Sequence, residues 1–268
     1  MKITEDQKKL LGNLICERLT DNPKNINLIE NFSSEKGTLI VKYFKENGLN
    51  EDKNNTTAFY VIKTKEDEIL MFFSLKCGEL FDFDVEELLI IQQNIINEKK
   101  TSSFQKNEQI KKETIQCLYN VFNSTKNDKK KEKNSHVSRV HKTFSGVQLV
   151  HFCSNDNMKY IWKKFGIHDR RTMGEVFFWY FIAPKFFEVQ KIVGCEYAFL
   201  FAADYSQDGV LQNYYNTSLK FEFDNNVGVN KPLYDFSCIF MSQKLNDMKK
   251  NRENYFNNFN LGNNDIIV

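Results

Sequence analysis

None of the six cysteines, at positions 16, 77, 117, 153, 195 and 238, forms a Cys-x-x-Cys pair, so a zinc knuckle or a dithiol redox site is not expected. The four histidines, 136, 141, 151 and 168, include no pair at helical i, i+4 ligand spacing. The segment before Thr4 has no apolar core, and Lys8 and Lys9 interrupt the next stretch, so no cleaved leader is expected. The longest apolar run, Val176 to Pro184, falls far short of the roughly 20 residues that a membrane span needs. Charge of one sign is also missing. Lys+Arg 37 against Asp+Glu 35 leaves +2, so any attraction to nucleic acid must be local. Arg is scarce, with five of the 37 cations. Neither GxxxxGK[ST] nor GxGxxG occurs, which removes the fingerprints of P-loop and Rossmann nucleotide sites. No internal repeat is visible. These absences point to a soluble, cytoplasmic protein without a metal site.

What is present is bulk: 268 residues, 41% of them hydrophobic, with 25 Phe, 11 Tyr and 2 Trp. That suffices for a sizeable core, and the length suits one elaborated domain or two small ones.

Thr4 and Gln7 make a capping box, and Leu10, Leu11, Leu14 and Ile15 extend a helical spacing to a predicted helix over 5–19. Residues 26–32 read as a short strand. A helix through Leu39, Ile40, Tyr43 and Phe44 is expected to stop at Gly48, with 50–57 a polar loop. AFYVIKT (58–64) and EILMFFSLKCG (68–78), split by Lys65-Glu66-Asp67, read as a hairpin. From about Asp84 the chain turns polar, and Lys106 to Lys133 holds eight Lys against four acids. A helical, mobile Lys/Asn-rich insertion over 84–144 is expected there. GVQLVHFC (146–153) reads as a buried strand, and 174–193 as an apolar helix kinked at Pro184 and closed by Gly194. YAFLFAAD (197–204) is a strand, Ser206 to Ser218 a helix, and final strands fall near 219–225 and 233–242. The remainder, 246–268, reads as an Asn-rich tail. The order indicates an α/β fold.

The most informative element is RTMGEV (171–176), between a strand and the apolar helix. Gly allows close backbone approach, and a first helical turn carries unpaired N–H groups at the positive end of its dipole. Arg170 and Arg171 would add charge, so the loop suits a pyrophosphate as well as an ordinary helix start.

RTMGEV followed by a strand, a helix carrying YYNTSLKF (214–221) and a closing FMSQKL (240–245) resembles the GCN5-related N-acetyltransferase superfamily. There an [RQ]-x-x-G-x-[GA] loop binds the pyrophosphate of acetyl-CoA and an [FY]-Y-x(3,4)-G-F segment comes after it. The front, ENFSSEKGTLIVKYFKENGLN…TTAFYVIKTKEDEILMFFSL (30–75), resembles members related to bacterial acetyltransferase toxins. The chain departs from the pattern at Val176, where a small residue is usual, at Lys220, where Gly is usual, and in SNDNMKYIWKKFGIHD, a long connection to Arg170.

The resemblance implies a mixed, mostly antiparallel central sheet flanked by helices. It would form one domain over 1–245, with a core of 30–83 and 145–245. It also implies acetyl-CoA as acyl donor and a primary amine as acceptor, whether a small amine, a protein or aminoacyl-tRNA. The basic insertion reads as a solvated, mobile loop, as a lid over the acceptor site or as a contact for tRNA, and a homodimer is open. Phe152, Cys153 and Ser154 would align the pantetheine. Arg171, Thr172, Met173, Gly174, Glu175 and Val176 would hold the pyrophosphate, where Val176 would crowd it. Tyr215 would protonate the departing sulfur, since a phenol of ordinary pKa near 10 gives a proton more readily than it takes one. His151, Asp156, Glu175 and Asp204 are the candidates for a base. For His151 a hydrogen-bonded core role stands beside that one, and for the acids a capping role. Cys153 has no helper as a nucleophile. A different class of reading keeps the fold without turnover: a binding module for coenzyme A or a partner.

Overall fold

The computed structural model describes residues 4–82, 143–166, 171–203, 208–223, 227–228 and 238–260. The Lys/Asn-rich stretch, Arg170 and Asp204 lie outside these residues. Two compact units divide the chain: 1–79, 144–224 and 231–268 form one, and 80–143 with 225–230 the other. In the smaller unit, β6 (Val227–Gly228) pairs antiparallel with Phe81 and Asp82.

The larger unit is built on six strands in the order β1-β2-β3-β4-β5-β7. These are β1 (Ile15–Arg18), β2 (Ala58–Lys63), β3 (Ile69–Asp82), β4 (Thr143–Ser154), β5 (Tyr197–Ala202) and β7 (Ile239–Lys244). β1–β2, β2–β3 and β5–β7 are antiparallel, and β4–β5 is parallel. The expected mixed, mostly antiparallel sheet flanked by helices is what the chain forms.

The capping box predicted at Thr4 and Gln7 starts α1 (Glu5–Gly12). The helix stops there, not at 19, because Leu14 and Ile15, which fit a helical spacing, belong to the approach and the first residue of edge strand β1. The predicted strand at 26–32 is instead α2 (Lys24–Leu28) and a 3₁₀ turn (Ile29–Asn31), begun at Pro23, whose fixed φ suits a helix start. Nor does Gly48 end a helix. α3 (Thr38–Tyr43) runs through a π turn (Phe44–Gly48) into α4 (Leu49–Lys53), so the supposed loop at 50–57 begins as helix. Gly48 has an ordinary helical φ of −55°. Its missing side chain makes room for Phe44, whose Cδ2 would lie 2.8 Å from a Cβ there.

The hairpin of β2 and β3 forms as expected, with Asp67 at φ 64° in its turn. α5 (Lys159–Lys164) follows β4. Then α6 (Met173–Phe177), a π turn (Phe178–Ile182) and α7 (Ala183–Val193) make one continuous helix. Its irregular turn precedes Pro184, which sits at the start of α7. Gly194 closes α7 at φ 75°, the left-handed cap anticipated for it. After α8 (Val210–Thr217) the predicted strand at 219–225 reduces to one bridge, Glu222 with Ser242. The expected tail begins as α9 (Leu245–Asn260), which packs on α7 and β7. Leu245 and Met248 supply an apolar contact there that the Asn-rich composition hides. None of the described helices is long and apolar enough to cross a membrane.

Two cores lie on opposite faces of the sheet. The larger packs Ile62, Met71, Phe73 and Val147 under Val176, Phe177, Phe178, Trp179 and Phe186. The smaller is aromatic, with Phe32, Phe44, Phe59 and Phe72 at its centre. In a regular strand side chains alternate faces, and β4 breaks that rule. Val147 and Leu149 enter the larger core, as does Phe152, whereas His151 stacks on Phe59 and Cys153 enters the smaller core. The alternation therefore slips by one residue between Leu149 and His151, the signature of a bulge, which bends and re-aims a strand.

Candidate functional site

β4 pairs with β5 only over Gly146–Gln148 against Tyr197–Phe199. Beyond that, β4 continues to Ser154 and β5 to Ala202 with no further register between them. β5 meanwhile pairs with β7 along its whole length. The ladder thus ends where the alternation slips, and residues 149–154 present an edge that β5 leaves open. An open edge offers backbone N–H and C=O groups to whatever lies beside it.

The clasp that holds the end of β4 is Asn155, fully buried. Its side-chain amide donates to the Ile69 carbonyl at 2.8 Å, and its Oδ1 accepts from the Ser33 and Asn157 backbones, each at 3.2 Å. Asp156 takes the Glu35 N–H at 2.8 Å and pairs with Lys159 at 2.9 Å, so it ties the end of β4 to the segment before α3.

Opposite the open edge α6 begins. Thr172 is its N-cap, with Oγ1 accepting from the Glu175 N–H at 3.2 Å. The amides of Met173 and Gly174 precede the helix's own hydrogen-bond ladder, at the positive end of its dipole. A Cβ on Gly174 would lie 2.7 Å from the Tyr214 hydroxyl and 3.3 Å from Phe152 Cζ. The glycine is needed because α6, β4 and α8 meet there, and the space it saves holds two side chains of the protein. Arg171 pairs with Glu175 at 2.9 Å and lies over the Tyr255 ring. Burial pushes the Glu175 carboxyl above its ordinary pKa, opposed by Arg171 and by the charge of Lys220. Met173 is buried, and Val176 has no exposed surface at all. Its side chain belongs to the larger core.

On the strand, Phe152 is half-buried with its ring 6.5 Å from Phe178. Cys153 is buried on the other face against Ser34 and Gly37, and burial raises its thiol pKa, which suits a structural cysteine and not a nucleophile. Ser154 is half-buried at the strand's end.

The tyrosine pair divides its roles. Tyr214 is hydrogen-bonded with the Thr172 side chain and burial drives its phenol far above the ordinary value, so it keeps its proton and pins α8 to α6. Tyr215 is half-buried at the margin of the larger core, its ring 5.9 Å from that of Tyr214. Its carbonyl accepts the Phe221 N–H at 3.0 Å. Closing that turn requires a left-handed residue, and Lys220 supplies it at φ 64°. A side chain there costs about 1–2 kcal/mol.

His151 has the hydrogen bond expected of a core histidine: Nδ1 lies 2.7 Å from Ser74 Oγ. Tyr214, within YYNTSLKF, and Asn155 carry no sequence signal for the contacts they make with Thr172 and with Ile69 and Ser33. Neither contact has a periodic signal, since each joins segments remote in the chain.

No family model matches the chain, and no curated protein matches it. In overall course it is similar to several solved structures. AtaTR bound with AcCoA is 12% identical at TM-score 0.48, over 89% of this chain and 98% of that one. A tyrosine-to-phenylalanine mutant of KacT is 11% identical at 0.48, over the same shares. AtaT complexed with acetyl-methionyl-tRNAfMet is 11% identical at 0.44, over 88% and 98%.

Proposed function

We propose that this chain is an acetyl-CoA-dependent N-acetyltransferase acting on a primary amine. The observation that carries the reading is the open edge of β4 beside the first turn of α6. Coenzyme A is a molecule with peptide-like amides at one end and a pyrophosphate at the other, and this pair of elements suits both. The backbone of Phe152, Cys153 and Ser154 would align the pantetheine amides as a missing strand would. The amides of Met173 and Gly174, with Arg171, would take the pyrophosphate. When bound, acetyl-CoA supplies an activated acyl group on a thiol that leaves readily. Tyr215 is the proton donor for the departing sulfur, and Tyr214 is its structural neighbour. Aminoacyl-tRNA is one acceptor class to test, on the strength of the front-half sequence resemblance and the Lys-rich segment.

Calorimetric titration with acetyl-CoA tests the reading, and absence of binding at millimolar concentration sinks it. Tyr215→Phe should lower turnover by about 10²-fold or more and spare acetyl-CoA affinity. An unchanged rate removes Tyr215 from the mechanism. One observation favours a second reading, a module that binds without turnover: Arg171, the cation of the loop, is already paired with Glu175. Binding without thiol release across small amines, peptides and charged tRNA would support it.

A further inference from the structure

Glu175 holds only one edge of the Arg171 guanidinium, and what holds its face comes from α9. That helix falls almost wholly in the stretch that reads as an Asn-rich tail. Yet Leu245, Met248, Arg252 and Tyr255 recur at spacings of three and four, and they turn one face toward β7 and α7. The irregular entry to α7 supplies an acceptor that fixes this docking. In the π turn the Ala183 N–H bonds the Phe178 carbonyl, and Pro184 has no N–H to give. Neither of those donors can serve the Trp179 carbonyl, which takes Arg252 Nε at 2.8 Å. Three residues on, the Tyr255 ring stacks on Trp179, with centroids 5.9 Å apart and planes at 28°, and lies under the Arg171 guanidinium at 5.9 Å. The charges of Glu175 and Arg171 both act on the Tyr255 phenol, so the ring reaches the first turn of α6. Arg171 thus has Nη1 on Glu175 at 2.9 Å and its face on Tyr255, while its side chain stays 40% exposed. A guanidinium has five N–H donors, so one carboxylate contact does not exhaust it.

We propose that Tyr255 is a positioning residue for the acyl donor, holding the Arg171 guanidinium by its face so that the donors not taken by Glu175 meet the pyrophosphate at the first turn of α6. This rests on the acyl-transfer reading above. A ring face carries negative charge and attracts a cation, and a guanidinium held before the ligand arrives loses less freedom on binding it. Arg252 acts one step further back. By occupying the Trp179 carbonyl it sets the register of α9, and with it the place of Tyr255. The π turn at 178–182 and the C-terminal helix, both outside RTMGEV, therefore bear on how that loop meets an anion.

Calorimetry and kinetics on the full chain test this. Tyr255→Leu should weaken acetyl-CoA by about 3- to 30-fold, raise its KM by the same factor and leave kcat at saturating donor unchanged. Tyr255→Phe, which keeps the ring, should restore wild-type affinity. In an Arg171→Leu background Tyr255→Leu should have no further effect, since the ring acts through that cation. S-acetylpantetheine, which lacks the pyrophosphate, should serve Tyr255→Leu and the wild type with the same kcat/KM. Should Tyr255→Leu fail to fold, Tyr255→Phe made with successively fluorinated rings keeps the shape and drains charge from the ring face. Acetyl-CoA affinity should then fall with each fluorine. Undiminished affinity in Tyr255→Leu, a flat fluorine series, or an equal loss with S-acetylpantetheine or in the Arg171→Leu background overturns the assignment and leaves the acyl-transfer reading standing. A wild-type chain that does not bind acetyl-CoA removes both.

Discussion

The two halves of β4 share one strand and do different work. Residues 143–148 lie within a sheet, with Val147 in the larger core and Gly146–Gln148 paired to β5. Residues 149–154 lose β5, change the face on which odd-numbered side chains lie, and are held at their end by Asn155. The first half has its hydrogen bonds satisfied by the fold. The second keeps a free side, and the α6 loop and Tyr214 meet it at Phe152. The sheet is left incomplete there, and the buried polar clasp of Asn155 fixes where the strand ends.

If that division is right, perturbations in the two halves should separate stability from binding. The largest effect expected is that of acid on the open half. Burial depresses the His151 pKa from 6.5 to about 4, so the unfolded chain binds the extra proton first. The stability that His151 contributes is whole above pH 6.5 and is lost as pH falls toward 4, by about 3 kcal/mol. Urea unfolding across that range should show the loss, and His151→Gln should flatten it. Next, Val147→Ala in the paired half should cost about 2 kcal/mol through lost burial and a residual cavity, with acetyl-CoA affinity untouched in calorimetry. A change in affinity would break the division. Gly174→Ala in the open half should cost less, about 1–2 kcal/mol, as its Cβ meets Tyr214 and Phe152. Yet it should weaken acetyl-CoA at least about tenfold, or about 1.4 kcal/mol. Smallest is Lys220→Gly, expected to raise stability by about 0.5 kcal/mol, as relief of the left-handed strain outweighs the added freedom of the unfolded chain. Thermal melts can read it.

Local chemistry made much of this legible in sequence. The Thr4–Gln7 box, the β2–β3 hairpin, the buried strand at 146–153 and the cap at Gly194 all depend on residues a few positions apart, and all form as expected. Leu14 and Ile15 fit a helix by spacing, but Ile15 pairs with Lys63 of β2 and opens edge strand β1, and residues 26–32 are β-prone by composition but follow Pro23 into helical turns. Gly48 has the spacing of a helix stop and is instead a packing gap for Phe44. For Ile15 and Gly48 a tertiary neighbour outweighs a local preference of a few tenths of a kcal/mol, whereas at 26–32 one local signal, Pro23, outweighs another.

By itself, then, the sequence determined the sheet-and-helix character of the larger unit, its capping, and the identity of the groups around RTMGEV and the tyrosine doublet, since these depend on side-chain type and short spacing. Only the tertiary structure decided that β4 parts from β5 at Gln148, that Gly174 admits Tyr214 and Phe152, that Val176 belongs to the core, and that His151 stands between two aromatic rings. Each of those facts joins residues far apart in the chain, and the energy that selects them exists only once the segments are packed together.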